Sequence, residues 1–257
     1  MAKRLQPHIM CGVGDVARYV LLPGDPKRSE RISKHFDESR RVAEYRQFIT
    51  YTGNYRGVPV SVTSTGIGCP STAIAVEELR RIGADTLIRV GTTGALQEDI
   101  DIGDIVIAHA AVRMDGATRA YVPIEYPAVA SLEVSNALIE AARRLGVPHR
   151  LGIVWTSDAF YAEDPELVSR WGRAGVLSVE MECSMLFTLC GLRGLRSGAI
   201  LAVDGNLIRG EKKGEFEPGE RKGELDERVQ EAIDLETRVA LDAIRMLDAL
   251  EPSTPER

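Results

Sequence analysis

Short apolar runs rich in β-branched residues alternate along the chain with stretches whose apolar positions recur at helical spacing. The runs at 19–22, 48–51, 58–64, 86–90, 104–112, 152–156 and 199–204 predict strands, and 71–81, 128–145, 165–171 and 182–193 predict helices. From 225 to 250, Val229, Ala232, Ile233, Val239, Ala243, Ile244 and Leu247 form one apolar stripe with charges opposite, which predicts a long helix packed on a sheet. Strands alternating with helices in this way give an α/β fold, read here as a single three-layer α/β/α domain over 1–257 with a central mixed sheet. Residues 209–222 are charged and broken by Gly and Pro, so they read as a flexible loop.

Composition narrows what such a domain can do. The chain carries 38 acidic and 32 basic residues, a net charge of −6, which is the wrong sign for a nucleic-acid or anionic-membrane surface. The N-terminal ten residues lack the apolar core of a secretion signal, and no apolar run approaches a membrane span, so a cytoplasmic location is expected. Cys11, Cys69, Cys183 and Cys190 show no metal-ligand spacing and read as buried thiols. No metal site is expected.

Three segments carry chemistry. In Leu21-Leu22-Pro23-Gly24-Asp25-Pro26-Lys27-Arg28, Gly24 lets backbone N–H groups approach a ligand and Arg28 opens the next helix, a setting that suits an anion. In Ile88-Arg89-Val90-Gly91-Thr92-Thr93-Gly94, an Arg sits on an otherwise apolar strand and must find a counter-charge. That counter-charge is either a bound oxyanion or a nearby carboxylate. Neither segment has the spacing of a nucleoside-triphosphate or dinucleotide loop. Together they suggest a compact oxyanion such as orthophosphate, held by Arg forks, Thr hydroxyls and backbone N–H groups. In Ser178-Val179-Glu180-Met181-Glu182, two carboxylates two residues apart face one side of a strand-to-helix junction. Glu182 suits a pair of sugar hydroxyls; it would also serve as a favourable acid in the first turn of the following helix.

With these segments in place, the chain resembles the trimeric-or-hexameric nucleoside phosphorylases. The matching blocks run in order: Pro23-Gly24-Asp25-Pro26 with Arg28, Ser64-Thr65-Gly66-Ile67-Gly68 with Pro70-Ser71, Arg89 through Ala95, Ser157-Asp158-Ala159-Phe160-Tyr161, and Glu180-Met181-Glu182. The resemblance implies a partly barrel-like sheet and a reaction in which phosphate attacks the anomeric carbon of a nucleoside, releasing base and pentose 1-phosphate. It implies a phosphate site of Gly24, Arg28, Arg89 and Thr92, completed by Arg46 of a neighbouring subunit. Glu182 and Met181 would hold the ribose, with His8 arriving from the neighbour at the 5′ end. Thr93, Gly94, Phe160, Glu180 and Asp204 would meet the base, and Arg89, Glu182 and Asp204 would carry catalysis. No metal or organic cofactor is implied, inorganic phosphate being a co-substrate. The partners are nucleoside, phosphate and further copies of the chain in a homohexamer built as a trimer of dimers.

The identity of the base is less sharply written. Met114-Asp115-Gly116-Ala117 and Pro123-Ile124-Glu125-Tyr126-Pro127-Ala128 are similar to uridine phosphorylases. Those enzymes read the uracil edge with a Gln and an Arg, where this chain has Asp164 and Glu166. The stretches 157–163 and 179–188 resemble purine and methylthioadenosine phosphorylases instead. Purine enzymes end a late strand with a Ser-Asp pair whose acid protonates the leaving base; here the chain reads Val203-Asp204-Gly205-Asn206, so Asp204 aligns one residue early. On a regular strand that offset would point the side chain to the opposite face. Uridine is the favoured substrate, purine nucleosides or methylthioadenosine the alternative, and Asp204 is either a base contact or general acid, or a turn-forming residue before Gly205. A nucleosidase or a non-catalytic nucleoside-binding protein of the same fold is less compatible with a full set of phosphate-binding arginines.

Overall fold

A computed structural model describes residues 3–162, 164–211 and 227–250. Ten strands form one sheet: β1 (Tyr19–Leu22), β2 (Glu38–Tyr45), β3 (Phe48–Tyr55), β4 (Val58–Thr63), β5 (Thr86–Ala95), β6 (Ile105–Met114), β7 (Ala128–Val129), β8 (Arg150–Ser157), β9 (Ser178–Glu180) and β10 (Arg196–Asn206). The order β10-β6-β8-β9-β5 closes on itself because β10 also pairs with β5, giving a five-stranded barrel. From β5 an arm continues through β1, β4, β3 and β2. Parallel and antiparallel pairings mix, so the expected mixed, partly barrel-like sheet is present.

Helices α1 (Pro26–Ser33), α2 (Cys69–Arg81), α3 (Leu132–Arg144), α4 (Pro165–Arg173), α5 (Cys183–Arg193) and α6 (Glu227–Ala249) cover the sheet. One core joins α2 and α5 to β1, β5 and β10 through Val76, Leu79, Leu186, Leu189, Leu22 and Leu201. A second core joins α1, α3 and α6 to the opposite surface through Ile32, Leu138, Val239, Ile244, Ile88 and Ile200. Odd and even residues of the same strands thus enter different cores, as a pleated strand covered on both faces requires. Every residue of the stripe foreseen on α6 is buried. All four cysteines are free and buried. Among the described residues, no helix is long and apolar enough to cross a membrane, and no group of three His, Cys, Asp or Glu is placed to hold a metal.

The structure departs from the sequence reading in four places. Strand β2 was not foreseen, because its residues are mostly exposed and charged and show no apolar alternation; such charge suits an edge strand that must not recruit another chain. The helix expected over 128–145 begins only at Leu132, since Ala128 and Val129 pair with β6 instead. The strand predicted over 86–90 does not stop there but runs through Gly91–Gly94 to Ala95 and pairs with β9 and β10. Residues 212–222 of the expected loop lie outside the described residues, while Arg209 is ion-paired with Asp101 (2.7 Å) and Glu211 (3.0 Å).

Glu236 of α6 is fully buried, and no side chain among the described residues hydrogen-bonds its carboxylate. Burial pushes its pKa well above the usual carboxylate value, against the opposing pull of Arg28 and Arg89. A carboxyl kept neutral in the fold but ionised in the unfolded chain lowers stability as pH rises above its ordinary value. Glu236→Met, similar in length and apolar, is therefore expected to gain about 1–3 kcal/mol at pH 8 and less at pH 5, read from urea unfolding midpoints. A variant less stable at both values would show instead that the carboxylate is ionised and serves the two arginines.

Candidate active site

The site is assembled where β1 and β9 end, beside the middle of β5. At the end of β1, Asp25 caps α1 by accepting a hydrogen bond from Lys27 N (2.9 Å), and Pro26 occupies the first turn, where its missing N–H costs nothing. This turn is tied to the 64–68 loop: Thr65 N donates to Pro23 O (2.9 Å) and Gly66 N donates to Gly24 O (3.0 Å). Gly66 and Gly68 have φ of 72° and 92°, a region that favours glycine. Arg28 lies half-buried on the first turn of α1, and its charge reaches Glu236 together with that of Arg89.

Arg89 is the centre of the arrangement. Its side chain is 6% exposed, and its guanidinium bridges two carboxylates: Nε lies 3.0 Å from Glu180 Oε2, and an Nη lies 2.5 Å from Glu182 Oε2. The counter-charge demanded by an Arg on an apolar strand is therefore supplied within the chain. Burial alone would lower the Arg89 pKa, but Glu182 and Glu180 outweigh it and hold the guanidinium charged. Two residues on, Gly91 faces the same side of β5, and a Cβ there would stand 2.8 Å from the guanidinium carbon. Glycine at this point leaves the room in which the guanidinium lies.

The two carboxylates play different parts. Glu180 is saturated by internal donors: Thr156 Oγ1 (2.6 Å) donates to Oε1, Glu182 N (2.8 Å) donates to Oε2, and Cys183 N reaches both oxygens (3.0 and 2.9 Å). It caps the N-terminus of α5 and anchors Arg89. A base contact by Glu180, as expected from the resemblance, would have to share a buried carboxylate already engaged by four groups. Glu182 is pinned at each oxygen, Oε1 by Gly68 N (2.6 Å) and Oε2 by Arg89. Burial raises its pKa, with Arg89 opposing and the like charge of Glu180 adding to the rise. A narrow crevice with essentially no room for a water molecule runs beside this pair, lined by Leu22, Thr65, Thr72, Arg89, Glu182 and Leu186.

Other expected residues sit around this centre. Thr92 is half-buried on β5. Thr93 is buried and donates to Val179 O (2.8 Å), and a Cβ at Gly94 would meet Leu207 at 2.5 Å. Met181 is half-buried between the two glutamates. Phe160 is 45% exposed and packs edge-on against Tyr161. Asp164 N-caps α4 by accepting from Glu166 N (2.8 Å), a capping role in place of base reading. Arg46 and His8 are not drawn into the cleft by their own chain. Arg46 is exposed at the β2–β3 turn with a φ of 55°, beside the Tyr45 ring, and His8 is bonded to Glu78.

Asp204 settles the alignment puzzle in part. Val203 pairs with Thr93 and Gly205 with Gly94, so Asp204 is the extra residue of a β-bulge in β10. A bulge interrupts the alternation of faces at its extra residue and moves the register by one beyond it. The one-residue offset from the purine enzymes thus carries no general inversion of faces. Thr65, Gly68, Gly91, Glu78 and Glu236 were not singled out from the sequence as site residues. Thr65 and Gly68 lay within a matching block and Gly91 two residues after Arg89 on the same face, whereas Glu78 and Glu236 left no signal.

Comparison with known proteins gives a consistent result. The family model described as the phosphorylase superfamily matches residues 18–245. A uridine phosphorylase of Thermococcus kodakarensis is 53% identical over 228 residues, 83% of this chain and 82% of that protein. A guanosine phosphorylase of Halorubrum lacusprofundi is 41% identical over 247 residues, 96% of this chain and 100% of that protein. The crystal structure of a purine nucleoside phosphorylase from Toxoplasma gondii in complex with immucillin-H aligns with a TM-score of 0.88 and 30% identity, covering 98% of this chain and 99% of that one.

Proposed function

The chain belongs to the phosphorylase superfamily, and from this and the site we propose that it is a nucleoside phosphorylase, a pentosyltransferase that cleaves uridine to uracil and ribose 1-phosphate. The observation that carries the reading is the 2.5 Å contact between Arg89 and Glu182, which sets an oxyanion-binding cation directly beside a carboxylate suited to vicinal hydroxyls. Phosphate and pentose would therefore be held side by side.

In the reaction a phosphate oxygen attacks C1′, the C1′–O bond forms as the C1′–N bond breaks, and the bonding pair leaves with the base, which then takes up a proton. The transition state resembles an oxocarbenium ion. Gly24, Arg28, Arg89 and Thr92 would hold the phosphate beneath the ring, where its negative charge opposes the developing positive charge. Glu182 and Met181 would fix the ribose, and Thr93, Gly94, Phe160 and Asp204 would border the base. Phosphate is the nucleophile, so no cofactor is required. Arg46 and His8, which do not line the cleft of their own chain, would complete the site of a neighbouring copy. This makes a dimer the minimum unit and a hexamer of three such dimers the expected assembly, acting in the cytoplasm.

The bulge at Asp204 favours a second reading, in which the enzyme also cleaves purine nucleosides with Asp204 as acid. The test is a phosphate-dependent assay on uridine, thymidine, inosine, guanosine, adenosine and methylthioadenosine with wild-type enzyme and Asp204→Asn. Uridine is expected to be the best substrate and to survive the substitution within severalfold. If purines are turned over and Asp204→Asn removes that activity by 10²-fold or more, the acid role is assigned. A preference for purines over uridine in the wild type would overturn the uridine assignment.

A further inference from the structure

Glu78, on α2, is a buried carboxylate that the reaction above does not use. Its side chain is 5% exposed, whereas His8, which it meets, is 40% exposed. Oε2 accepts hydrogen bonds from the backbone N–H groups of His8 (3.0 Å) and Ile9 (2.9 Å), and Oε1 lies 2.6 Å from His8 Nδ1. Ile9 is fully buried, so the turn carrying His8 is anchored on one side while the imidazole edge remains accessible on the other.

Chemistry then decides where the imidazole proton sits. Two backbone donors and a ring nitrogen converge on one carboxyl group, and an ionised carboxylate can only accept. Nδ1 must be the donor in the third contact. A neutral imidazole with its proton on Nδ1 leaves Nε2 as a lone-pair acceptor, and Nε2 is the nitrogen turned from Glu78. We propose that Glu78 is a positioning residue that locks His8 in the Nδ1-protonated tautomer, so that Nε2 selects a substrate offering a hydrogen-bond donor at the 5′ position. The substrate class is a nucleoside with a free 5′-hydroxyl; a 5′-deoxy or 5′-alkylthio nucleoside offers no donor. The inference about substrate rests on the proposed placement of His8 at the 5′ end, while the tautomer stands on the geometry alone.

A site built to hydrogen-bond a substrate group disfavours analogues that lack it, because its own polar atom is then left unpaired. One neutral hydrogen bond corresponds to a preference for uridine over 5′-deoxyuridine of about tenfold in kcat/KM.

Two measurements test this. Magic-angle-spinning NMR of protein labelled with 15N-histidine reports each ring nitrogen without any substrate, and His8→Asn identifies the His8 signals. The expected result near pH 8 is a protonated Nδ1 and a bare Nε2 in the wild type, with this pattern lost in Glu78→Gln. A protonated Nε2 in the neutral wild-type ring overturns the proposal. In the kinetic arm, Glu78→Gln is expected to lose severalfold on uridine and little on 5′-deoxyuridine, and to add nothing further in a His8→Ala background. Equal losses on both substrates, or continued loss in that background, would mean that Glu78 only holds the turn, and would overturn the specificity role. Glu78→Asp, which keeps the charge, should recover part of the uridine preference. Failure of the wild type to cleave uridine with phosphate present would refute the proposed activity but leave the tautomer result standing, so the two readings fail separately.

Discussion

Arg89→Met is expected to abolish turnover and destabilise the protein at the same time. The guanidinium is the shared partner of two buried carboxylates, so its loss leaves Glu180 and Glu182 facing each other without a cation. Breaking a buried ion pair by removing one member costs about 3–5 kcal/mol, more than the pair contributes when compared with apolar packing. The deficit should depend on pH in a definite direction. Burial already raises the Glu182 pKa and Arg89 opposes the rise, so removing Arg89 raises it further; such a group destabilises increasingly as pH climbs. Urea unfolding should therefore show a gap from wild type that is wide at pH 8 and narrows toward pH 5. Activity should fall by at least 10³-fold, because the phosphate loses a charged two-pronged donor in the transition state. Arg89→Lys should restore charge but not both contacts, and recover only part of each loss. Wild-type stability in Arg89→Met at pH 8 would show that the two glutamates do not depend on this residue.

Glu182→Ala is the second large effect. The carboxylate is fixed by Gly68 N and Arg89 before any sugar is considered, so its position is preorganised. Hydrogen bonds to a charged group contribute about 1.5–3 kcal/mol each, and two ribose hydroxyls sharing Glu182 give a loss on the order of 10³-fold in kcat/KM for uridine. The loss on 2′-deoxyuridine should be smaller, because one of the two contacts is already missing from that substrate. Equal losses on the two nucleosides would show that Glu182 acts through Arg89 and not through the sugar.

Much of this site was legible in the sequence because unlike physical demands met at single residues. An Arg on an apolar strand required a counter-charge, and two acids at a strand end required a cation or hydroxyls; the fold answers both with one contact between Arg89 and Glu182, which are far apart along the chain. That pairing itself could not be read, since nothing in local spacing links β5 to β9. The internal partners of Glu180 were not legible either, because its donors, above all Thr156 Oγ1 on β8, are tertiary. Glu78 and Glu236 were invisible for a different reason. A glutamate on an amphipathic helix reads as solvated, and only burial shows otherwise. Strand β2 lacked periodicity because neither of its faces is deeply buried, and the bulge at Asp204 left a one-residue offset without indicating how the backbone absorbs it.

The central claim is that phosphate, held by arginines beneath the pentose, is the nucleophile. It is tested most directly by following uridine cleavage with and without inorganic phosphate and identifying the sugar product. The account predicts uracil and ribose 1-phosphate in equal amounts, at a rate that saturates with phosphate and is negligible in its absence. Release of uracil with free ribose at the same rate in phosphate-free buffer would contradict it.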